Sequence, residues 1–168
     1  VKRGARIYAE VRGYGATADA YHLSSLAPGA EGSARAMQAA LNRSGLTPMD
    51  VDYVSAHATS TPSGDGEEAA AIATVFAENK ANLHVSGVKS MTGHLLGGAG
   101  SMGAFAAVKA IHEGLVPPTI NLTNIDPVCA ATGLNFTPNT AVKKTVRAAL
   151  ANSFGFGGTN ASLVFAKV

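Results

Sequence analysis

The sequence predicts an α/β domain: a mixed, largely parallel sheet with helices on both faces. Segments typical of strands and helices alternate along the 168 residues in the order β-α-β-α-β-α-β-β. The internal strand segments are short and apolar, which is typical of strands buried on both faces. Nineteen glycines, with many alanines and serines, indicate elements that pack closely because their side chains are thin. The length suits one domain with a single core.

Five segments have the pattern of strands. The first alternates in polarity and is expected to end at the sequence Gly13-Tyr14-Gly15. The last two are expected to lie on either side of a glycine turn. The five ranges are 5–13, 51–56, 83–88, 145–153 and 160–168.

Three segments, 31–45, 65–79 and 97–114, have helical periodicity. Gly45 and Gly114 are expected to end the first and third helices, because glycine adopts the conformation that stops a helix. The second helix has acidic residues in its first turn, where they complement the helix dipole. The third is built of small residues and can therefore lie very close to its neighbours.

Charge and composition exclude several classes of function. The chain has 13 basic and 11 acidic residues and no basic block, so we expect no nucleic acid partner. No apolar run has the length of a membrane span, so we expect no membrane partner, and no signal or transit peptide is recognisable. The one cysteine, Cys129, excludes an internal disulfide framework and suits a reducing compartment. Because the first residue is Val rather than Met, we expect the chain to be part of a longer protein.

Residues 98–103 match the pattern G-x-G-x-x-G of dinucleotide-binding loops. Such a loop works when a strand runs straight into the first glycine and the pyrophosphate sits on the N-terminus of the next helix. Here the strand segment ends near Val88, and nine residues intervene before Gly98. The glycines are therefore interpreted as a bare helix surface, and no cofactor is expected.

Polar stretches follow three of the predicted strands. The sequence HATSTPSGD brings His57, Thr59 and Thr61, the sequence KSMTGH brings Lys89 and His94, and the sequence FGFGGTN brings Phe156 in a tight glycine turn. Sites in layered α/β sheets form at the carboxyl ends of strands. Two histidines and a lysine that converge there suit a carbonyl reaction, because imidazole N–H groups can bind a developing oxyanion. Positive charge nearby would lower the histidine pKa and keep the rings neutral.

The same residues also have ordinary structural interpretations. A single histidine is more often a hydrogen-bonded structural residue, and a Phe-Gly-Phe turn is more often core and bend. Only the joint placement on three strand ends favours a site. His22, His84 and His112 are interpreted as structural or surface residues. No G-x-S-x-G nucleophile turn, carboxylate pair or metal site is recognisable.

Three sequences, HATSTP, KSMTGHLLGGAG and NSFGFGGTN, in this order and spacing, resemble the C-terminal half of the elongating β-ketoacyl-acyl carrier protein synthases. The sequence IYAEVRGYGATADAYH resembles the segment that leads into that half. The resemblance implies a thiolase-like fold, in which two similar halves stack as α-β-α-β-α layers and the enzyme is a homodimer. Residues 1–25 would end the N-terminal half, and residues 26–168 would form the C-terminal half.

The resemblance also implies roles for the residues of the three stretches. His57 and His94 would be the histidines of a Cys-His-His site, and Lys89 would tune the second histidine. Thr59 and Thr61 would bind the phosphopantetheine arm. Phe156 would gate the acyl pocket, with its backbone N–H in the oxyanion hole.

By the same resemblance, the enzyme condenses an acyl thioester with malonyl-acyl carrier protein during fatty acid elongation. Its partners would be the acyl carrier protein and the N-terminal half that supplies the nucleophilic cysteine. Its compartment would be the bacterial cytoplasm, or a plastid or mitochondrion in a eukaryote. Cys129 is not expected to replace that cysteine, because no helix N-terminus or histidine is near it in the sequence.

The chain departs from the family pattern at one position. The family usually has a glutamate fourteen residues after the lysine, where it can pair with it, and here Gly103 stands in that place. The partner of Lys89 is therefore left open. Two alternatives also stay open: a ketosynthase of a polyketide synthase, and a non-catalytic partner similar to chain-length factors.

Overall fold

A computed structural model describes residues 2–168. Its strands are β1 (Glu10–Ala18), β2 (Tyr53–Ser55), β3 (His84–Ser86), β4 (Leu115–Val116), β5 (Val142–Lys143), β6 (Ala148–Gly155) and β7 (Thr159–Ala166). Five of them form one sheet in the order β1-β7-β6-β2-β3, and β4 pairs with β5 in a separate two-stranded sheet. In the large sheet, β6, β2 and β3 are parallel, and β7 is antiparallel to both of its neighbours. The sheet is therefore mixed, as predicted, but it is not largely parallel, because the two longest pairings, β1 with β7 and β6 with β7, are antiparallel.

Helices cover both faces of the sheet. The helices are α1 (Glu31–Ser44), α2 (Gly64–Val75), α3 (Lys89–Thr92), α4 (Ala99–Glu113) and α5 (Pro127–Ala130). Val54, Leu150 and Val164 point to the face that α1 and α2 cover. Their neighbours Tyr53 and Phe165 point to the opposite face, which α4 covers. Alternate residues of each strand thus enter two separate cores, because successive side chains of a strand point to opposite sides.

The first strand was predicted to end at Gly13, but β1 continues through both glycines to Ala18. Gly13 and Gly15 are buried against α1, and a β carbon at either position would overlap a backbone carbonyl oxygen of that helix, at Ala40 and Ala36 respectively. The glycines are therefore not a turn. They let the helix backbone lie directly on the strand.

The second helix was predicted to run to residue 79 and ends instead at Val75. Asn79 is buried, and its side-chain amide donates hydrogen bonds to the carbonyls of Pro48 and Val51. Those two bonds need the chain to leave the helix first. The third helix begins at Ala99 rather than 97, after a 3₁₀ turn over 96–98.

The short elements α3, α5, β4 and β5 were not predicted, since two to four residues carry no periodicity. No helix within residues 2–168 has the length and apolar character that crossing a bilayer requires. In the same part of the chain, no three His, Cys, Asp or Glu side chains are grouped so that they could hold a metal ion.

Candidate active site

The carboxyl ends of the neighbouring strands β6, β2 and β3 meet at one edge of the sheet, as the sequence predicted. A cleft of about 790 Å³ opens there. Its walls come from the segments that follow β2 and β6, from the 94–100 segment, and from the loop after β1. Five residues predicted for the site line the cleft together: His57, Thr59, Thr61, His94 and Phe156. Lys89 lies behind His57 rather than in the lining.

The rings of His57 and His94 are in edge-on contact. Their centroids are 5.9 Å apart and their planes are inclined by 86°. The Nδ1 of His57 accepts a hydrogen bond from the backbone N–H of Phe154 (3.3 Å), and the Nδ1 of His94 accepts one from Leu96 (3.0 Å). In a neutral ring with Nδ1 as acceptor, the proton is on Nε2. Both histidines can therefore donate a hydrogen bond through Nε2.

The environment of His57 keeps its ring neutral. Burial lowers the pKa of His57 to about 4, and the charges of Lys89 and His94 act in the same direction. Desolvation disfavours the charged imidazolium, and nearby positive charge adds to this effect. His57 at neutral pH is thus an uncharged hydrogen-bond donor.

Lys89 contacts the backbone of His57. It begins α3, and its ammonium donates a hydrogen bond to the carbonyl oxygen of His57. Burial lowers the pKa of Lys89, while the carboxylates of Glu68 and Asp65 raise it. The carboxylates whose charge acts on Lys89 are therefore on α2, although neither forms an ion pair with its ammonium.

The sequence analysis missed Glu68. Its buried carboxylate accepts hydrogen bonds from three N–H groups. One carboxylate oxygen accepts the backbone N–H of His57 (2.8 Å), and the other accepts that of Ala58 (2.8 Å). The side-chain amide of Asn152 donates to Glu68 as well (3.1 Å). Burial raises the pKa of Glu68, and these three N–H bonds oppose the rise. The signal in the sequence was a carboxylate at a helix position whose neighbours Ala69 and Ile72 belong to the core.

Thr59 and Thr61 lie on the turn between β2 and α2. Their hydroxyl oxygens are 3.0 Å apart, at the side of the cleft. The carboxylate of Asp65 accepts the N–H of Ser60 (3.0 Å) and so fixes this turn from the first turn of α2. Both hydroxyls line the cleft and can hydrogen-bond a polar ligand there.

Phe156 is in the glycine turn between β6 and β7, at the rim of the cleft. Its side chain is 82% exposed. The following Gly157 and Gly158 have φ values of +83° and +77°, in the region that favours glycine, so the tight turn requires them. The N–H of Gly157 donates to the carbonyl of Leu23, which holds the loop after β1 against the turn.

That loop supplies a second part of the site that the sequence analysis missed. Ser24, Ser25 and Leu26 line the cleft. The Nδ1 of His22 accepts the N–H groups of Ser24 and Ser25, both at 3.2 Å, so His22 shapes the loop. The feature of the sequence that could have indicated this loop is the pair of Ser24 and Ser25, which follows His22 closely.

Other candidate residues lie outside the cleft. Cys129 lines a separate cavity of about 330 Å³ between α2 and the 119–126 loop, and burial raises the pKa of its thiol. A buried thiol of raised pKa is a poor nucleophile. His84 and His112 also lie away from the cleft lining.

The glycines of the G-x-G-x-x-G match lie at and inside the start of α4, where they bring it close to the sheet. A β carbon at Gly100 would lie 3.1 Å from the hydroxyl of Ser153, and one at Gly103 would lie 3.4 Å from that of Ser55. The Ser55 hydroxyl is the one buried side-chain oxygen or nitrogen within residues 2–168 without a hydrogen-bond partner. The close approach to the sheet supports the interpretation of these glycines as a packing surface.

Comparison with known proteins places these observations in a family. The C-terminal domain of the β-ketoacyl synthases matches residues 8–123. A mitochondrial 3-oxoacyl-(acyl-carrier-protein) synthase of Arabidopsis thaliana is 51% identical over 99% of the chain and 36% of its own length. The 3-oxoacyl-(acyl-carrier-protein) synthase 2 of Staphylococcus aureus strain COL is 50% identical over 98% of the chain and 39% of its own length. The chain therefore spans less than two fifths of each of these two relatives.

Solved structures give the same result for the fold. The ishigamide ketosynthase/chain length factor superposes with a TM-score of 0.92 and 41% identity, over 99% of this chain and 40% of that one. The predicted thiolase-like α/β fold is confirmed, because the mixed sheet covered by helices is that of a ketosynthase.

Proposed function

Because this chain belongs to the C-terminal domain family of the β-ketoacyl synthases, we propose that it forms the C-terminal part of a 3-oxoacyl-(acyl-carrier-protein) synthase of fatty acid elongation. The observation that carries the proposal is the pair of imidazoles, 5.9 Å apart, at the edge of one cleft. The reaction is a decarboxylative Claisen condensation: an acyl group on a cysteine and a malonyl thioester give a β-ketoacyl thioester and carbon dioxide. The cysteine comes from an N-terminal half, and residues 1–25 are the end of that half.

The two histidines would act on the malonyl thioester. Loss of carbon dioxide leaves an enolate whose negative charge develops on the thioester oxygen. Two N–H donors aimed at that oxygen stabilise the transition state for decarboxylation. Support comes from the bonds that make the Nδ1 of His57 and of His94 acceptors, since a ring proton is then on Nε2 in each case.

The remaining residues of the cleft would bind the carrier's arm and the acyl chain. The hydroxyls of Thr59 and Thr61 would hydrogen-bond phosphopantetheine, which is supported by their place at the side of the cleft. Phe156 would gate the acyl pocket, supported by its exposed ring on a glycine turn, and its N–H would join the oxyanion hole. Lys89 would tune His94 by its charge.

The partners would be an acyl carrier protein, the N-terminal half and a second copy of the enzyme. The acyl carrier protein is supported by the names of the two relatives, both of which are called 3-oxoacyl-(acyl-carrier-protein) synthases. Tyr8, Val11 and Phe105 are exposed large apolar side chains, which supports further protein partners for this chain. The compartment would be a bacterial cytoplasm, or a mitochondrion or plastid.

The test is decarboxylation of malonyl-acyl carrier protein by the full-length protein. We expect wild type to release carbon dioxide and His94→Ala to lose about 100-fold or more of that rate, the usual effect of one oxyanion donor. His112→Ala, an exposed histidine near the end of α4, is the matched control and keeps the wild-type rate. An unchanged rate in His94→Ala would contradict the assignment.

A second candidate is a ketosynthase or chain-length-factor-like subunit of a polyketide synthase, favoured by the superposition on the ishigamide ketosynthase/chain length factor. Products separate the alternatives. A synthase of fatty acid elongation extends a saturated acyl chain on its carrier by one unit. A polyketide ketosynthase extends chains that keep their β-keto groups. A non-catalytic subunit forms no acyl-enzyme at all.

A further inference from the structure

The backbone of His57 is held on both sides of the residue. Its own N–H donates to one oxygen of Glu68 and the next N–H, at Ala58, donates to the other, each at 2.8 Å. Its carbonyl accepts the ammonium of Lys89. The carboxylate of Glu68 therefore binds an N–H of each peptide group that flanks His57. The ammonium of Lys89 binds the carbonyl of the second of these peptide groups.

The carboxylate is itself fixed from the sheet. Asn152 on β6 donates its amide N–H to Glu68 (3.1 Å), and its carbonyl oxygen accepts the hydroxyl of Ser162 on β7 (2.7 Å). Asn152 and Ser162 are both buried. Asn152, which Ser162 holds in turn, thus fixes the carboxylate of Glu68, and this carboxylate holds the turn after β2 through the N–H groups of His57 and Ala58.

This turn needs the support. Ala58, directly after His57, has a φ of +36°, where a residue with a β carbon is strained. Without an acceptor, the N–H groups of His57 and Ala58 would lose their partners in a half-buried place. The extended conformation that a non-glycine residue prefers would then compete with the turn and move the imidazole.

We infer that Glu68 and Lys89 are positioning residues that hold the peptide of His57 and so aim its ring into the cleft. Lys89 thus acts on the first histidine through its backbone carbonyl, in a chain where Gly103 offers the lysine no carboxylate. The inference deepens the proposed function and rests on it for the catalytic consequence. The backbone contacts can be tested whether or not that function holds.

The first test is Glu68→Gln in the full-length protein, which keeps the shape of the side chain. A carboxamide has one oxygen to accept one of the two N–H groups and turns an N–H₂ donor toward the other. We expect hydrogen exchange at the amides of His57 and Ala58 to accelerate on the order of tenfold or more, since a lost hydrogen bond exposes them. We expect kcat for malonyl-carrier decarboxylation to fall on the order of tenfold, with KM changed less than about twofold, because a misaimed donor acts on the transition state.

Glu67→Gln is the matched control. Its carboxylate is on the same turn of α2 and accepts the N–H of Gly29, so the substitution leaves His57 exchange and kcat as in wild type. Lys89→Met and Lys89→Arg form the second pair of variants. The methionine cannot donate to the carbonyl of His57, whereas arginine can, so arginine restores most of the kcat that methionine removes.

The outcomes separate the two claims. Wild-type exchange at His57 and Ala58 in Glu68→Gln, or equal kcat in the methionine and arginine variants, overturns the positioning role. A kcat that falls only in proportion to the folded fraction overturns it as well. If wild type does not decarboxylate malonyl carrier, the proposed function fails, and the exchange data still decide the contacts.

Discussion

Lowering the pH to 5 is expected to leave His57 uncharged in the folded protein. Its pKa is about 4, lowered first by burial and then by the charges of Lys89 and His94. At pH 5 about 10% of such rings are protonated, whereas about 97% of an ordinary histidine of pKa 6.5 would be. The assay is NMR of ¹⁵N-histidine-labelled protein between pH 8 and 4, with the His57 signals assigned by their absence in His57→Gln.

The lowered pKa of His57 also makes the free energy of unfolding depend on pH. Because the folded pKa lies below the unfolded value near 6.5, the unfolded state binds more protons between pH 6.5 and 4. The contribution of His57 to the free energy of unfolding is fully present above pH 6.5 and falls as the pH drops through that window. In Lys89→Met the pKa of His57 rises, since one positive charge is removed, but stays below 6.5 because burial is the larger cause. A wild-type midpoint near 6.5 would refute the reasoning.

Two further substitutions test the rim of the cleft and the packing of the first strand. Phe156→Ala is expected to change acylation kinetics or acyl-chain preference while the free energy of unfolding changes by less than about 0.5 kcal/mol, because the ring is 82% exposed; identical rates across chain lengths would remove the gate assignment. Gly15→Ala is expected to cost about 1–3 kcal/mol and to lower Tm by several degrees, since its β carbon overlaps a carbonyl oxygen of α1. Gly97→Ala, which meets no atom within 4 Å, is the control, and an equal Tm for the two variants would contradict the packing argument.

The alternation of elements was predictable because the long helices and strands repeat their own period, and because β2 and β3 lie in short apolar segments typical of buried strands. The meeting of His57 and His94 at one edge was also predictable. The strands β2, β3 and β6 are parallel neighbours, so the segments that follow them lie together. The pairing of β1 with β7 was not visible in this way, since Gly13 and Gly15 have the local pattern of a turn. Their role depends on a helix that approaches from a distant part of the chain.

Glu68 could not be recognised from periodicity either. A carboxylate on a helix is usually a solvated charge, and only the folded chain brings it beneath two backbone N–H groups and beside Asn152, 84 residues away. In the family that the chain resembles, a glutamate stands at the position of Gly103, and the glycine left the partner of Lys89 open. The charges that act on this lysine come from α2 instead. The local sequence shows at most that Glu68 stands among core positions of its helix, and it does not show which distant groups the carboxylate binds.

The most direct measurement is a crystal structure of the full-length protein with a non-decarboxylating malonyl-thioester analogue. We predict that the thioester oxygen lies about 2.7–3.1 Å from the Nε2 atoms of both His57 and His94, the distance of an oxyanion donor. A bound analogue whose thioester oxygen contacts neither ring, with the imidazoles still in edge-on contact, would contradict the account.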